Sequence, residues 1–386
     1  MSITRRIFLR NSALAGVGSS VLPSLLTRAA FGAPDPSIRT KRLVVIFQRG
    51  AADGLNIVVP HGEPSYYAMR PTINIPRKSV LDLDGFFGLH PAMSHFQSLW
   101  EQKHLAIVHA AGSPDPTRSH FDAQDFMESG TPGVKVTDDG WLNRALRDLP
   151  SDNSPDKSAF RAIGLGQSLP RILAGKEPAV ALDTALHSTG QETFDAVKTL
   201  KAADPAHYTP AANANYPRGR FGDSLKQLAQ LIKANLGVQV AFADIGGWDH
   251  HVDEGSTQGQ IANVLGDFSQ SIAAFWIDLG VLGEDTVLVT MSEFGRAARE
   301  NGNRGTDHGH ASVMFVLGGP VKGGKVYGRW PGLDRSQLYE GRDLAVTTDF
   351  RLVLSEIVSR YLGNKDLMTV FPGFENQSGQ FLKLLG

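Results

Sequence analysis

Five short polar clusters hold the residue types that bind metal ions and support displacement at phosphorus or sulfur. The first is Arg49-Gly50-Ala51-Ala52-Asp53-Gly54. The second, 112–122, contains Thr117, Arg118, Ser119, His120 and Asp122. The third, 246–253, contains Asp249, His250, His251 and Asp253. The fourth is Met291-Ser292-Glu293-Phe294-Gly295-Arg296, and the fifth is Gly305-Thr306-Asp307-His308-Gly309-His310. Five of the twelve His fall in these clusters. Imidazoles mixed with carboxylates suit Zn, Mn or Fe, whereas carboxylates alone would suit Mg or Ca. Two such ions close together can clamp both oxygens of an in-line displacement.

Several of these residues also have a plain structural reading. Asp53-Gly54 is a common turn pair. Ser119 followed by Asp122 fits a capping box, with Ser119 as the helix N-cap. His250 and His251 are adjacent and project differently, so at most one is a ligand. Glu293 could simply cap a helix. The Asp307-His308-Gly309-His310 run is the hardest to explain structurally and reads as a site. Other templates are absent: there is no phosphate-binding G-x-x-x-x-G-K-[ST] loop, no H-E-x-x-H and no G-x-S-x-G elbow.

Each cluster adjoins an apolar run. Runs at 42–47, 105–110, 238–243, 286–290 and 312–317 read as buried strands. Apolar spacing near 3.6 predicts helices over 94–102, 221–234 and 257–279. Strands alternating with helices give a three-layer α/β/α sandwich with a mostly parallel central sheet. Ligands of such sheets sit at the carboxyl ends of the strands, where the clusters would converge. Residues 145–220 are rich in Pro, Asp, Ala and Asn and read as an excursion or cap on a single domain spanning 33–386.

The chain has 386 residues, 38 basic and 39 acidic. Its 41% hydrophobic content supports a sizeable core, and the near-zero net charge excludes a nucleic-acid binder driven by phosphate contacts. It has no Cys, so disulfides and thiolate metal sites are excluded. Residues 1–32 hold four Arg and no acid, with Arg5-Arg6 ahead of the uncharged stretch 11–27. That pattern predicts a twin-arginine signal peptide cut near Gly32. The stretch is short for a bilayer span and broken by Gly16, Gly18 and Pro23. The expected location is therefore periplasmic or extracellular, with the twin-arginine translocase as export partner and no stable membrane span after cleavage.

Taken in order, the five clusters resemble an exported bacterial family called domain of unknown function 1501. That family is similar in fold to the alkaline phosphatase and sulfatase superfamily. The resemblance implies metal ligands at Asp53, Asp249 with His251, Glu293, and His308 or His310, with Asp307 either a ligand or orienting His310. It implies a nucleophile at Ser119, with Thr117 as fallback, beside Arg118 and His120. Arg118, Arg296 or Arg49 would hold the non-bridging oxygens. The sequence departs from the superfamily at Glu293-Phe294, where an Asp-His pair is usual. One metal is then short of an imidazole unless His308, His310 or His120 supplies it. The expected cofactor is one or two divalent metals, Zn foremost, with Mn, Fe or Ca as alternatives, or none. The expected function is an exported metal-dependent hydrolase of small-molecule or polymeric phosphate or sulfate esters. The alternative is a non-catalytic exported binding or assembly protein on the same fold.

Overall fold

A computed structural model describes residues 40–135, 137–147, 149, 160–182, 208–375 and 378–386. The signal peptide expected over 1–32 lies outside the described residues. Twelve strands are present among them: β1 (Arg42–Gln48), β2 (Val58–Val59), β3 (Leu81–Asp82), β4 (Gly88–Leu89), β5 (Leu105–Gly112), β6 (Ala162–Leu165), β7 (Val180–Leu182), β8 (Val240–Ile245), β9 (Thr286–Ser292), β10 (Ser312–Gly318), β11 (Lys325–Tyr327) and β12 (Thr348–Asp349). Nine form one sheet in the order β11-β5-β10-β9-β1-β8-β6-β7, with β12 also beside β5. The other three form a small sheet ordered β2-β4-β3.

The apolar runs become strands because both faces of the sheet are covered. In β1, Val44 and Ile46 pack on one side with α3 (Arg220–Lys233) and α4 (Gln260–Leu279). Leu43, Val45 and Phe47 pack on the other with the helix Trp141–Ala145 and with α5 (Phe350–Glu356). Successive side chains leave a strand on opposite faces, so one run feeds two cores. Each fully buried aliphatic side chain contributes about 1.5–3 kcal/mol. The expected three-layer sandwich is borne out. The helix expected over 94–102 is a 3₁₀ segment, Pro91–Phe96, running into Gln97–Glu101.

Two features differ from the sequence reading. First, β10 runs antiparallel to both β5 and β9, while every other pairing in the large sheet is parallel. The start of β10 therefore lies at the same edge as the ends of β1, β5, β8 and β9. This reversal brings the fifth cluster, which precedes its strand, to the four that follow theirs. Second, the stretch 145–220 is not wholly an excursion. β6 and β7 lie within it and extend the central sheet beyond β8, because their Ile163, Leu165 and Leu182 are core residues. Residues 150–159 and 183–207 of that stretch lie outside the described residues. Among the described residues, no helix is long and apolar enough to cross a membrane.

Candidate metal centre

The loop after β1 turns at Gly50 and enters the short helix α1 (Gly54–Ile57). The loop after β5 leads into α2 (His120–Ser129), with Ser119 at the N-cap. Ser119 is exposed, and its hydroxyl makes no capping hydrogen bond. The expected capping box with Asp122 is therefore not formed; Asp122 pairs instead with Lys135 at 2.9 Å. The segment after β9 and the one before β10 pair with each other. Gly295 N–H donates to His310 O at 2.8 Å, Gly309 N–H to Gly295 O at 2.8 Å, and Ala297 N–H to Asp307 O at 2.9 Å. Gly309 permits this approach, since a Cβ there would stand 2.2 Å from the Arg296 carbonyl carbon.

Three imidazoles and one carboxylate meet at this edge. His308 Nε2 lies 3.0 Å from His120 Nε2, 2.9 Å from His251 Nε2 and 3.3 Å from Asp249 Oδ1. His251 Nε2 is 2.9 Å from Asp249 Oδ1, and His120 Nε2 is 3.5 Å from Asp249 Oδ2. The other ring nitrogens fix the tautomers. His308 Nδ1 faces the Arg118 carbonyl at 2.9 Å, which only accepts, so Nδ1 carries the proton. His120 Nδ1 faces Glu293 Oε1 at 2.8 Å and donates to it in the same way. In the neutral rings both Nε2 lone pairs then point at each other across 3.0 Å. A single proton cannot bridge three imidazoles, whereas one cation can. Donors at about 2.0–2.1 Å from a tetrahedral ion stand about 3.3 Å apart, close to the spacings among His120, Asp249 and His308. His120, Asp249 and His308 therefore form a mutually close set that fits one divalent metal, with His251 beside it against His308 and Asp249.

Glu293 lies behind this set. Its Oε1 accepts from Gly50 N–H and Gln124 Nε2, each at 2.9 Å, as well as from His120. Burial would raise the Glu293 carboxyl, but these hydrogen bonds more than offset that and hold it below its ordinary value. The hydrogen bond to Glu293 in turn raises His120. Burial lowers His308. Phe294, 3% exposed, stands 5.0 Å from both the His120 and His308 rings, so the departure at this position gives a packing surface rather than a ligand. Burial would raise Asp249, but the Arg296 hydrogen bond and charge hold it low. Asp307 Oδ1 stands 3.6 Å from His251 Nδ1, on the side away from the metal donors.

The remaining sequence-selected residues are not brought into this group. Asp53 is 2% exposed, and both its oxygens receive the Arg70 guanidinium, Oδ1 at 2.9 Å. His310 Nε2 donates to Ser113 O at 3.1 Å, and the ring packs on Tyr339. His250 is buried, and burial lowers it. The Arg118 guanidinium is held by Asp343 at 2.6 Å and Glu340 at 2.7 Å. Arg49 is held by Asp244, Gln124 and Glu128, and Arg296 by Asp249 and Thr306. Sequence reasoning did not select Arg70, Gln124 or Glu254. Only Gln124 carried a signal, one helical turn beyond His120.

Gly50 is the backbone hinge of the site. At φ +119° its Cβ would stand 2.8 Å from Asp249 N and 3.1 Å from Trp248 N. Gly50→Ala is expected to destabilise the fold by about 1–3 kcal/mol, read as a lower urea midpoint, and to weaken metal uptake by displacing Asp249.

No curated protein matches the chain significantly. Among solved structures, the chain is similar to the C-terminal periplasmic domain of EcEptC from Escherichia coli in complex with Zn, at 10% identity and TM-score 0.39, covering 74% of each chain. It is similar to an alkaline phosphatase superfamily protein from Vibrio parahaemolyticus at 9% identity and TM-score 0.36, covering 75% of this chain and 62% of that one. It is also similar to the PsFucS1 sulfatase from Pseudoalteromonas sp. at 13% identity and TM-score 0.35, covering 79% and 66%. Asp249, His251, Glu293 and His308 fall within the span matched by a family model, whereas His120 precedes it. That model, described as "Protein of unknown function (DUF1501)", matches residues 174–363 and bears out the family resemblance over the three polar clusters inside that span, 246–253, 291–296 and 305–310.

Proposed function

We propose that the protein is an exported metal-dependent hydrolase of phosphate or sulfate esters, with one metal at His120, Asp249, His251 and His308 and with Ser119 as nucleophile. The observation that carries this reading is the convergence of three Nε2 atoms and one carboxylate, two of the rings having their Nδ1 protons fixed by acceptors behind them. A bound divalent metal supplies Lewis acidity toward a phosphoryl or sulfuryl oxygen. Ser119 adjoins the ligand His120 and is exposed at the head of α2. In-line attack by its Oγ would form the bond to phosphorus or sulfur and break the bond to the ester oxygen, which leaves with a proton. Water would then cleave the seryl ester and release the inorganic anion. Glu293 keeps His120 in the tautomer that offers Nε2, as carboxylates behind metal-bound imidazoles do. Export rests on the twin-arginine pattern in residues 1–32.

The second reading, a non-catalytic exported binding or assembly protein, is favoured by one specific observation. Arg49, Arg118 and Arg296 are already paired with acids rather than held ready for an anion. Ser119→Ala separates the two. The variant is expected to keep its metal, measured by elemental analysis, and to lose turnover of aryl phosphates or sulfates by at least about a thousandfold. Undiminished turnover removes Ser119 as nucleophile. Full metal content without turnover of any ester in the wild type favours the second reading.

A further inference from the structure

We propose that Arg70 takes the place of a second metal ion, so that the centre is built for a single metal. The inference rests on the one-metal reading given under Proposed function and adds the reason for that count. The superfamily resemblance implies a metal ligand at Asp53, after the first core strand. Here that carboxylate faces a guanidinium, and the pair is among the most deeply buried charges of the protein, with side-chain exposures of 0% and 1%. Arg70 is also locked from behind, since its Nε and Nη2 donate to Ala298 O and Ala297 O, both at 2.9 Å. Those carbonyls belong to the segment just after β9 that carries Arg296.

The surroundings already pair the Asp53 charge. Glu254 is fully buried beside Asp53, and burial together with the Asp53 charge and hydrogen bond pushes its carboxyl well above the ordinary range. The Asp53 charge is met by Arg70, whose Nη1 and Nη2 each reach one of its oxygens out of contact with water. Thr306 Oγ1 donates to Glu254 Oε2 at 3.0 Å and receives Arg296 Nε at 3.0 Å. Arg296 Nη1 reaches Asp249 Oδ1 at 2.6 Å. The chain from Arg70 through Asp53, Glu254, Thr306 and Arg296 thus ends on a ligand of the single metal. Both cations in it are guanidiniums, which remain charged at any working pH. A divalent ion on Asp53 would have to displace a buried bidentate Arg, which is strongly unfavourable. Arg70 is a positioning residue: it is too deeply buried to touch substrate.

Metal stoichiometry tests this. The purified chain, dialysed against Zn or Mn and measured by elemental analysis, is expected to hold one equivalent. Asp53→Asn is expected to keep that equivalent, and Asp249→Ala to lose it. Two equivalents in the wild type overturn the proposal while leaving the metal-hydrolase reading intact. Loss of the metal from folded Asp53→Asn protein overturns it in the same way. A wild type that takes up no metal overturns both. Should Asp53→Asn fail to fold, Asp53→Asn with Arg70→Met removes both charges together and is expected to hold one equivalent; none in that folded double variant, with one in the wild type, counts against the proposal.

Discussion

His308→Ala is expected to abolish metal uptake, whereas His310→Ala leaves it in place. His308 Nε2 is the atom within 3.3 Å of the donors of His120, His251 and Asp249, so its loss opens the set on every side. Its Nδ1 is fixed by the Arg118 carbonyl, so the ring is already oriented before any ion arrives. Loss of a partner standing behind a ligand typically costs 10–100-fold in affinity. Removing this ligand should therefore cost at least about 100-fold, enough to leave the protein metal-free after dialysis. His310 is a demanding control, two residues away and also imidazole, with its Nε2 spent on Ser113 O. Elemental analysis of both variants, with circular dichroism to show folding, decides it. Equal metal content in the two would break the donor set assigned here.

The contrast between these two His also shows where the sequence stops being readable. Both follow Gly305-Thr306 in one short run, and residue type alone leaves either as the ligand. The choice is made by acceptors on the β5 loop, Arg118 O for one ring and Ser113 O for the other, nearly 200 residues away. The strands were legible for the opposite reason. β1, β8 and β9 are buried on both faces, so each is a near-continuous apolar run that needs no distant partner to be recognised. Such a run carries no direction, which is why the reversal of β10 was not visible. Phe294 shows a third case. Against the superfamily pattern it reads as a missing ligand, and only the tilted rings of His120 and His308, each 5.0 Å away, show it as the surface that supports them.

Arg70→Met is expected to destabilise the fold by about 3–5 kcal/mol near neutral pH, because it strands the buried Asp53 charge. The partners, 17 residues apart, meet where neither has access to water, and the substitution preserves most of the side-chain volume. Adding Asp53→Asn should restore much of the loss, since it removes the stranded charge while keeping the shape. The pH dependence gives the sign. In the wild type, burial would raise Asp53, but Arg70 holds it below its ordinary value. The stability from that pairing is present above the unfolded carboxyl pKa of about 3.9 and is lost as pH falls through the lower folded value. In Arg70→Met, burial without the guanidinium raises Asp53 instead, so acidification protonates it and relieves the cost. Glu254 runs the same way as this variant: its raised pKa means that folding takes up a proton, which becomes less favourable as pH rises above the unfolded Glu range. The deficit of Arg70→Met against wild type should therefore shrink between pH 7.5 and pH 5, in urea unfolding at fixed metal content. A deficit independent of pH would point to lost packing around the Arg70 stem. The recovery in Asp53→Asn with Arg70→Met would then be absent as well, because packing, unlike a buried charge, is not restored by removing the partner.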